Sequence, residues 1–135
     1  MKAEHAPHPT GAVNLLLRAE GAAALAISVY AYWLTGAGWL PFLILFLAPD
    51  LSMLGYAGGS RIGAICYNAA HSYLAPALAW MVLRLAAPEW ALPVALIWAA
   101  HIGFDRMLGY GLKYAASFHE THLSVIGRRQ GNARG

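Results

Sequence analysis

This sequence of 135 residues has little charge and a single cysteine. Asp, Glu, Lys and Arg make up 11% of the chain, whereas a soluble domain averages roughly 25%. Hydrophobic residues account for 59%, and a soluble domain of this size buries only about two-thirds of the surface that its chain exposes. These properties exclude an ordinary soluble domain and indicate an integral membrane protein. The lone Cys66 excludes an internal disulfide.

Several familiar motifs are also missing. The sequence contains no phosphate-binding loop, no nucleophile elbow and no dinucleotide-binding fingerprint. Its formal net charge of +3 suits the cytoplasmic loops of a membrane protein and requires no nucleic-acid partner. We therefore expect the lipid bilayer to be the main partner, and we expect the chain in the cytoplasmic membrane of a bacterium.

Four apolar stretches are long enough to cross a bilayer, which takes roughly 20 residues. Short breaks containing Gly or Pro separate the stretches, and such tight turns make sequence neighbours antiparallel. The sequence therefore predicts one all-α domain, an up-down bundle of four transmembrane helices followed by a tail over 114–135. The predicted spans are 11–35, 39–57, 61–86 and 90–113.

The positive charges indicate how this bundle is oriented. Most of the Lys and Arg residues fall on the side where the two termini lie, including Lys2, Arg61 and Arg128. Because cytoplasmic loops carry an excess of Lys and Arg, this distribution predicts that both termini are cytoplasmic.

Six polar residues lie at similar depths inside the predicted spans. At about 1.5 Å of rise per residue, each lies roughly 10–18 Å below the cytoplasmic face. Polar residues that only join helices would not be expected to share one depth. They are Glu20, Asp50, Asn68, His71, His101 and Asp105.

Helical spacing groups several of these side chains. His101 and Asp105 are four residues apart, and Asn68 and His71 are three apart, so each pair shares one face of a helix. Arg106 lies about 100° around the helix from Asp105, so we expect it to flank the group.

The charges in this layer require compensation. If the three carboxylates are ionised and Arg106 alone balances them, about two negative charges remain, and isolated carboxylates are too costly in so dry a medium. Either protons or a divalent cation must neutralise them. Two imidazoles beside carboxylates suit zinc, iron or manganese. We predict Asp50, His71, His101 and Asp105 as metal ligands, and Glu20, Asn68 and Arg106 as catalytic residues.

Two segments of the chain share a short pattern. D50-L-S-M-L-G-Y56 in the second span is similar to D105-R-M-L-G-Y110 in the fourth, and both spans run toward the cytoplasm. The pattern is compatible with two duplicated hairpins related by an axis along the membrane normal, and equally with chance.

The segments LRAEG, LAPDLSMLGY, YNAAHSY, AHIGFDRMLGYGLKY and FHETHL resemble domain-of-unknown-function family 4260, which consists of small integral membrane proteins. The resemblance covers nearly the whole chain and implies a bundle of about four helices, without an established chemistry. A weaker similarity is to the membrane-bound metal-dependent hydrolases. Their PD-x-D, H-S and H-x3-D elements are echoed at Asp50, His71 and His101, although Ser52 stands in place of the second aspartate.

Three functions fit these observations. The first is a metal-dependent enzyme that hydrolyses an ester or amide of a lipid-like or small amphipathic substrate. The second is a proton-coupled carrier, which would need to form a homo-oligomer because four helices are few for a pore. The third is a membrane scaffold whose polar layer sets the register of the helices. The excess negative charge argues against the third, and we adopt the first.

Overall fold

The computed structural model describes residues 11–112, and every regular element in that range is helical. The prediction of an all-α fold is therefore confirmed for these residues, while the predicted tail over 114–135 lies outside them. Five α-helices and one 3₁₀ helix follow one another along the chain. They are α1 (Gly11–Thr35), α2 (Trp39–Leu45), the 3₁₀ helix (Ala48–Gly58), α3 (Ser60–His71), α4 (Leu74–Ala86) and α5 (Pro88–Leu108).

Three stretches are long and apolar enough to cross a membrane: Gly11–Thr35, Trp39–Gly58 and Pro88–Leu108. The apolar helix Leu74–Ala86 is shorter. Large apolar side chains cover the outer surface, as at Leu85, which is 91% exposed. Surfaces of this kind are unfavourable in water and are typical of a membrane protein. The number of crossings and the cytoplasmic position of the termini stay predictions.

The third predicted span, 61–86, is not one helix. It divides into α3 and α4 at Ser72, whose backbone is extended (φ −90°, ψ 142°). In a continuous helix residue 76 would donate to the carbonyl of Ser72, but Pro76 has no N–H and its ring clashes with that carbonyl. The Ser72 hydroxyl instead accepts from the backbone N–H of Leu74 at 3.2 Å. The break therefore has a local cause in the sequence.

A proline interrupts the second predicted span, 39–57, in the same way. α2 ends at Leu45, four residues before Pro49, and the chain continues as a 3₁₀ helix. The backbone N–H of Asp50 accordingly donates to the carbonyl of Leu47, three residues back, at 3.1 Å. The two similar D…MLGY segments therefore differ in conformation, because Asp105 lies in a regular α-helix.

Glycine allows α1 to pack closely against α5. A Cβ atom on Gly103 would lie 2.7 Å from the backbone nitrogen of Leu25 and 2.8 Å from the carbonyl oxygen of Gly21. Small residues let transmembrane helices approach in this way. At the cytoplasmic end of the predicted bundle, Arg18 Nε donates to the Met107 carbonyl at 2.9 Å. Together these contacts join α1 to the helix that carries His101 and Asp105.

Glycine also fits the 3₁₀ helix against α3. A Cβ atom on Gly55 would lie 2.8 Å from Cys66 Cβ, and one on Gly63 would overlap the ring of Tyr56. This close packing holds the start of the 3₁₀ helix, where Asp50 lies, beside the helix that ends at His71.

Candidate metal centre

Four predicted ligands converge in the structure. Asp50, His71, His101 and Asp105 each offer one donor atom, and all four atoms lie within 4.8 Å of one another, so the group can hold a metal ion. The two histidine side chains are 3% and 2% exposed, whereas those of Asp105 and Asp50 are 17% and 42% exposed. The imidazoles therefore form the buried side of the group, and the aspartates form the accessible side.

The donor atoms have the spacing of a metal-coordination shell. The Nε2 atoms of His71 and His101 lie 3.2 Å apart. Each of these Nε2 atoms lies 3.3 Å from Asp50 Oδ1, and they lie 3.4 and 3.3 Å from Asp105 Oδ2. In a tetrahedral site with bonds of about 2.0 Å, neighbouring ligand atoms are about 3.3 Å apart. Five of the six ligand–ligand distances match this value.

Each ligand is placed by a distinct local feature. Asp50 follows Pro49 in the first turn of the 3₁₀ helix, and His71 is the last residue of α3. His101 and Asp105 lie one turn apart on α5. The arrangement of the four donors therefore depends on both helix breaks. The break before Pro49 precedes Asp50, and the break before Pro76 ends α3 at His71.

The His71 ring has a defined orientation. Its Nδ1 atom lies 2.9 Å from the carbonyl oxygen of Tyr67. Because a carbonyl can only accept, Nδ1 carries the hydrogen, and in the neutral ring the lone pair is on Nε2, facing the other donors. The ring of Tyr67 stacks on that of His71 with centroids 3.8 Å apart and an interplanar angle of 10°. Metal-ligating histidines are commonly oriented by such a hydrogen bond.

The His101 ring is positioned mainly by packing. It lies edge-to-face with Phe46, with ring centroids 5.3 Å apart. Its Nδ1 atom is buried and has no hydrogen-bond partner among residues 11–112, although the backbone of Phe46 lies close enough to interact with the ring. Its polar contacts are at Nε2, the atom that faces Asp50 and Asp105.

These atoms repel one another unless a cation or a hydrogen carried by His101 Nε2 lies between them. The lone pair on Nε2 of neutral His71 faces oxygens of two carboxylates. An ionised carboxylate and a bare imidazole nitrogen can only accept hydrogen bonds. Isolated buried carboxylates are costly. One divalent cation would neutralise both aspartates and use all four donors. Protons on the imidazoles are the alternative source of positive charge.

Two side chains of α5 cap the end of α3. The last carbonyls of a helix lack partners within it. Trp98 Nε1 donates to the carbonyl of Ala70 at 2.7 Å, and Arg106 Nη2 donates to that of His71 at 3.4 Å. Sequence reasoning missed Trp98. Pro76 was the sequence signal that could have indicated such a donor, because the helix break that it imposes leaves carbonyls near residue 72 without partners in the helix.

The three predicted catalytic residues lie in different places. Arg106 is adjacent to the donor group through its contact with the His71 carbonyl. Asn68 is half-buried on α3, one turn before His71. Glu20 is exposed on α1 and is not one of the four donors; it lines a separate cavity with Arg106. The catalytic roles of these residues stay predictions, and His119 and His122 of FHETHL lie outside the described residues.

The comparisons with known proteins identify a family and no relative of known activity. No curated protein and no solved structure matches the chain. The similarity to membrane-bound metal-dependent hydrolases thus has no support from these comparisons. The model of the domain of unknown function DUF4260 matches residues 14–126, which include all four donors of the candidate metal centre. The chain therefore belongs to the DUF4260 family.

Proposed function

We propose that this protein is a metal-dependent membrane hydrolase that acts on a lipid-like or other small amphipathic substrate. The observation that carries the proposal is the convergence of two histidine nitrogens and two aspartate oxygens, in which each nitrogen lies 3.2–3.4 Å from the other nitrogen and from both oxygens. The hydrogen bond from His71 to the Tyr67 carbonyl supports it, because it directs a lone pair toward the other donors.

The chemistry of the donor set fits a divalent transition metal. Two imidazole nitrogens and two carboxylate oxygens suit zinc, iron or manganese. The two aspartates balance the charge of one such ion. When bound, the ion would supply the Lewis acidity that hydrolysis near neutral pH requires.

Access to the centre favours an amphipathic substrate. The imidazoles close one side, whereas Asp50 is 42% exposed and lies within a stretch that is apolar enough to cross a membrane. A substrate that reaches this side from the bilayer needs an apolar part. In this proposal Arg106 orients an anionic or carbonyl group of the substrate, since its planar fork suits oxygen acceptors. Asn68 assists by hydrogen bonding, and Glu20 acts on the substrate from the neighbouring cavity that it lines with Arg106.

A second candidate function is proton-coupled transport. The break between α3 and α4 lies beside the His/Asp group, and discontinuous helices line the ion sites of many transporters. In that case protons replace the metal as the positive charge. The two candidates differ in whether the purified protein contains a metal ion.

The first test is the metal content of the full-length protein in detergent, measured by elemental mass spectrometry. We expect about one zinc, iron or manganese ion per chain in the wild type, and none in His101→Ala or Asp105→Asn. Glu89→Gln is the matched control, because it removes a carboxylate from the first turn of α5, away from the donor group. A folded wild type that takes up none of the three ions would overturn the metal site, and the transport proposal would then lead.

The second test separates metal binding from hydrolysis. Metal-loaded and chelator-treated protein are incubated with lipid esters and amides that share one acyl chain, and released fatty acid is measured. We expect release by the loaded wild type only. A metal-loaded protein that cleaves none of these bonds would refute the hydrolase proposal and leave the metal site intact.

A further inference from the structure

A small cavity, called the polar cavity because the charged residues Glu20 and Arg106 line it, lies next to the candidate metal centre. It has a volume of about 150 Å³ and is formed by side chains of α1, of α5 and of the junction between α3 and α4. Arg106 connects the two sites, because it lines this cavity and also contacts the His71 carbonyl. The lining residues are Leu17, Glu20, Gly21, Ala24, Tyr73 and Arg106.

The cavity presents two opposite charges. Glu20 contributes a carboxylate from α1, and Arg106 contributes a guanidinium from α5. Ionisable residues within transmembrane segments are costly and commonly mark ligand sites. At about 30 Å³ per water molecule, the cavity has room for about five waters, or for a polar group of several heavy atoms. A guanidinium is well matched to a phosphate.

An apolar groove shares Tyr73 with this cavity. The groove lies between α4 and α5, has a volume of about 520 Å³, and includes Trp80, Met81 and Leu92 in its lining. Tyr73 lines both the groove and the polar cavity. The Arg106 guanidinium lies 5.7 Å from the centroid of the Tyr73 ring. A cavity with two charged side chains and an apolar groove on the two sides of one tyrosine suit the polar and apolar parts of an amphipathic ligand.

The balance of charge narrows the class of ligand. With a divalent ion bound, Asp50 and Asp105 are neutralised, and Glu20 and Arg106 leave the cavity without net charge. Glu20 disfavours a purely anionic headgroup, and Arg106 disfavours a purely cationic one. A zwitterionic headgroup complements both. A primary ammonium also donates hydrogen bonds to Glu20, which a quaternary ammonium cannot do.

We propose that the cavity and groove together bind a zwitterionic phospholipid that carries a primary amine. Its phosphate contacts Arg106, its ammonium contacts Glu20, and one acyl chain lies in the groove between α4 and α5. Because Arg106 follows Asp105 directly, the headgroup lies beside the metal centre. This assignment names the substrate class of the proposed hydrolase and rests on that function.

The test compares lysophospholipids that share one acyl chain and carry ethanolamine, choline or glycerol headgroups. Binding to the full-length protein in detergent is measured by native mass spectrometry. We expect the ethanolamine lipid to bind roughly tenfold more tightly than the others, which corresponds to one charge-assisted hydrogen bond. Arg106→Gln and Glu20→Gln should each abolish this preference. Arg84→Gln and Glu89→Gln, which remove like charges outside the cavity, should retain it.

Three results would overturn the inference: equal binding of the three headgroups, preference for the glycerol lipid, or a preference that survives both cavity variants. Free phosphoethanolamine that competes at concentrations equal to the lipid would show that the ligand is a small solute. Metal content is measured in the same samples. Selectivity without metal would support the lipid site and refute the hydrolase, whereas metal without selectivity would refute the lipid site alone.

Discussion

The hydrogen bond from Trp98 to the end of α3 offers a direct test of how the metal centre is positioned. The indole N–H donates to the carbonyl of Ala70 at 2.7 Å, one residue before His71. Trp98→Phe keeps an aromatic ring at this position but removes the N–H donor together with part of the indole ring, a loss of volume that the Trp80→Phe control shares. The last turn of α3 then loses a partner for a carbonyl that no residue of the helix itself can replace.

The expected magnitude follows from the two consequences of that loss. A half-buried acceptor left without its donor costs about 1–2 kcal/mol of folding free energy. The His71 Nε2 atom lies 3.2–3.4 Å from the other three donor atoms, so a small displacement of the His71 ring weakens several contacts at once. Loss of an outer-shell partner typically reduces metal affinity by about 10–100-fold, and we expect the lower part of that range.

The assay is a zinc competition titration against a chromophoric chelator, combined with thermal unfolding of the metal-free protein in the same detergent. Trp80→Phe is the matched control, because Trp80 is 42% exposed on α4 and lies in the apolar groove. If Trp98→Phe lowers the stability of the metal-free protein but binds zinc as tightly as the wild type, the bond supports the fold alone. That result would refute the positioning argument.

Three further predictions concern packing, the helix break and the ligands. Gly103→Ala should lower the free energy of unfolding by about 1–3 kcal/mol, because its Cβ would lie within 3 Å of backbone atoms of α1. Gly58→Ala is the control, since the atoms nearest to its new Cβ belong to the side chain of Ile62. Thermal unfolding should show a smaller loss of stability for this control. Pro76→Ala should raise the helical signal in circular dichroism and weaken zinc binding, because residue 76 could then donate to the Ser72 carbonyl and continue α3. Unchanged spectra would show that Pro76 is not the cause of the break between α3 and α4. Zinc at a hundred times its dissociation constant should stabilise the wild type by about 2.7 kcal/mol and should not stabilise His71→Ala, so equal stabilisation of both would exclude His71 as a ligand.

The four side chains of the candidate metal centre could be singled out from the sequence. Asp50, His71, His101 and Asp105 interrupt stretches that are otherwise apolar, and charged groups there are retained only when they are paired, bound or functional. The i, i+4 spacing of His101 and Asp105 places both on one face of a helix without further information. The structure brings all four together.

The two breaks in the predicted spans were also encoded locally. Each lies four residues before a proline: α2 ends at Leu45 before Pro49, and the extended residue Ser72 precedes Pro76. Average hydropathy conceals such breaks, because the residues on both sides are equally apolar. The missing N–H accounts for the breaks before Pro49 and Pro76, but Pro93 lies inside α5 without ending it, so a proline alone does not fix where a helix ends.

The sequence alone determined the class of protein and its helical content, because composition and periodicity depend only on near neighbours along the chain. It also singled out the four side chains that the structure brings together as the candidate metal centre. It grouped Glu20 with the same layer, since depth is a single coordinate along a helix. Only the tertiary structure decided that Glu20 lines a different cavity and that Trp98 and Arg106 cap the end of α3. These facts depend on the rotation of each helix about its axis and on which helices are neighbours, and both are set by close contacts such as that between α1 and α5 at Gly103.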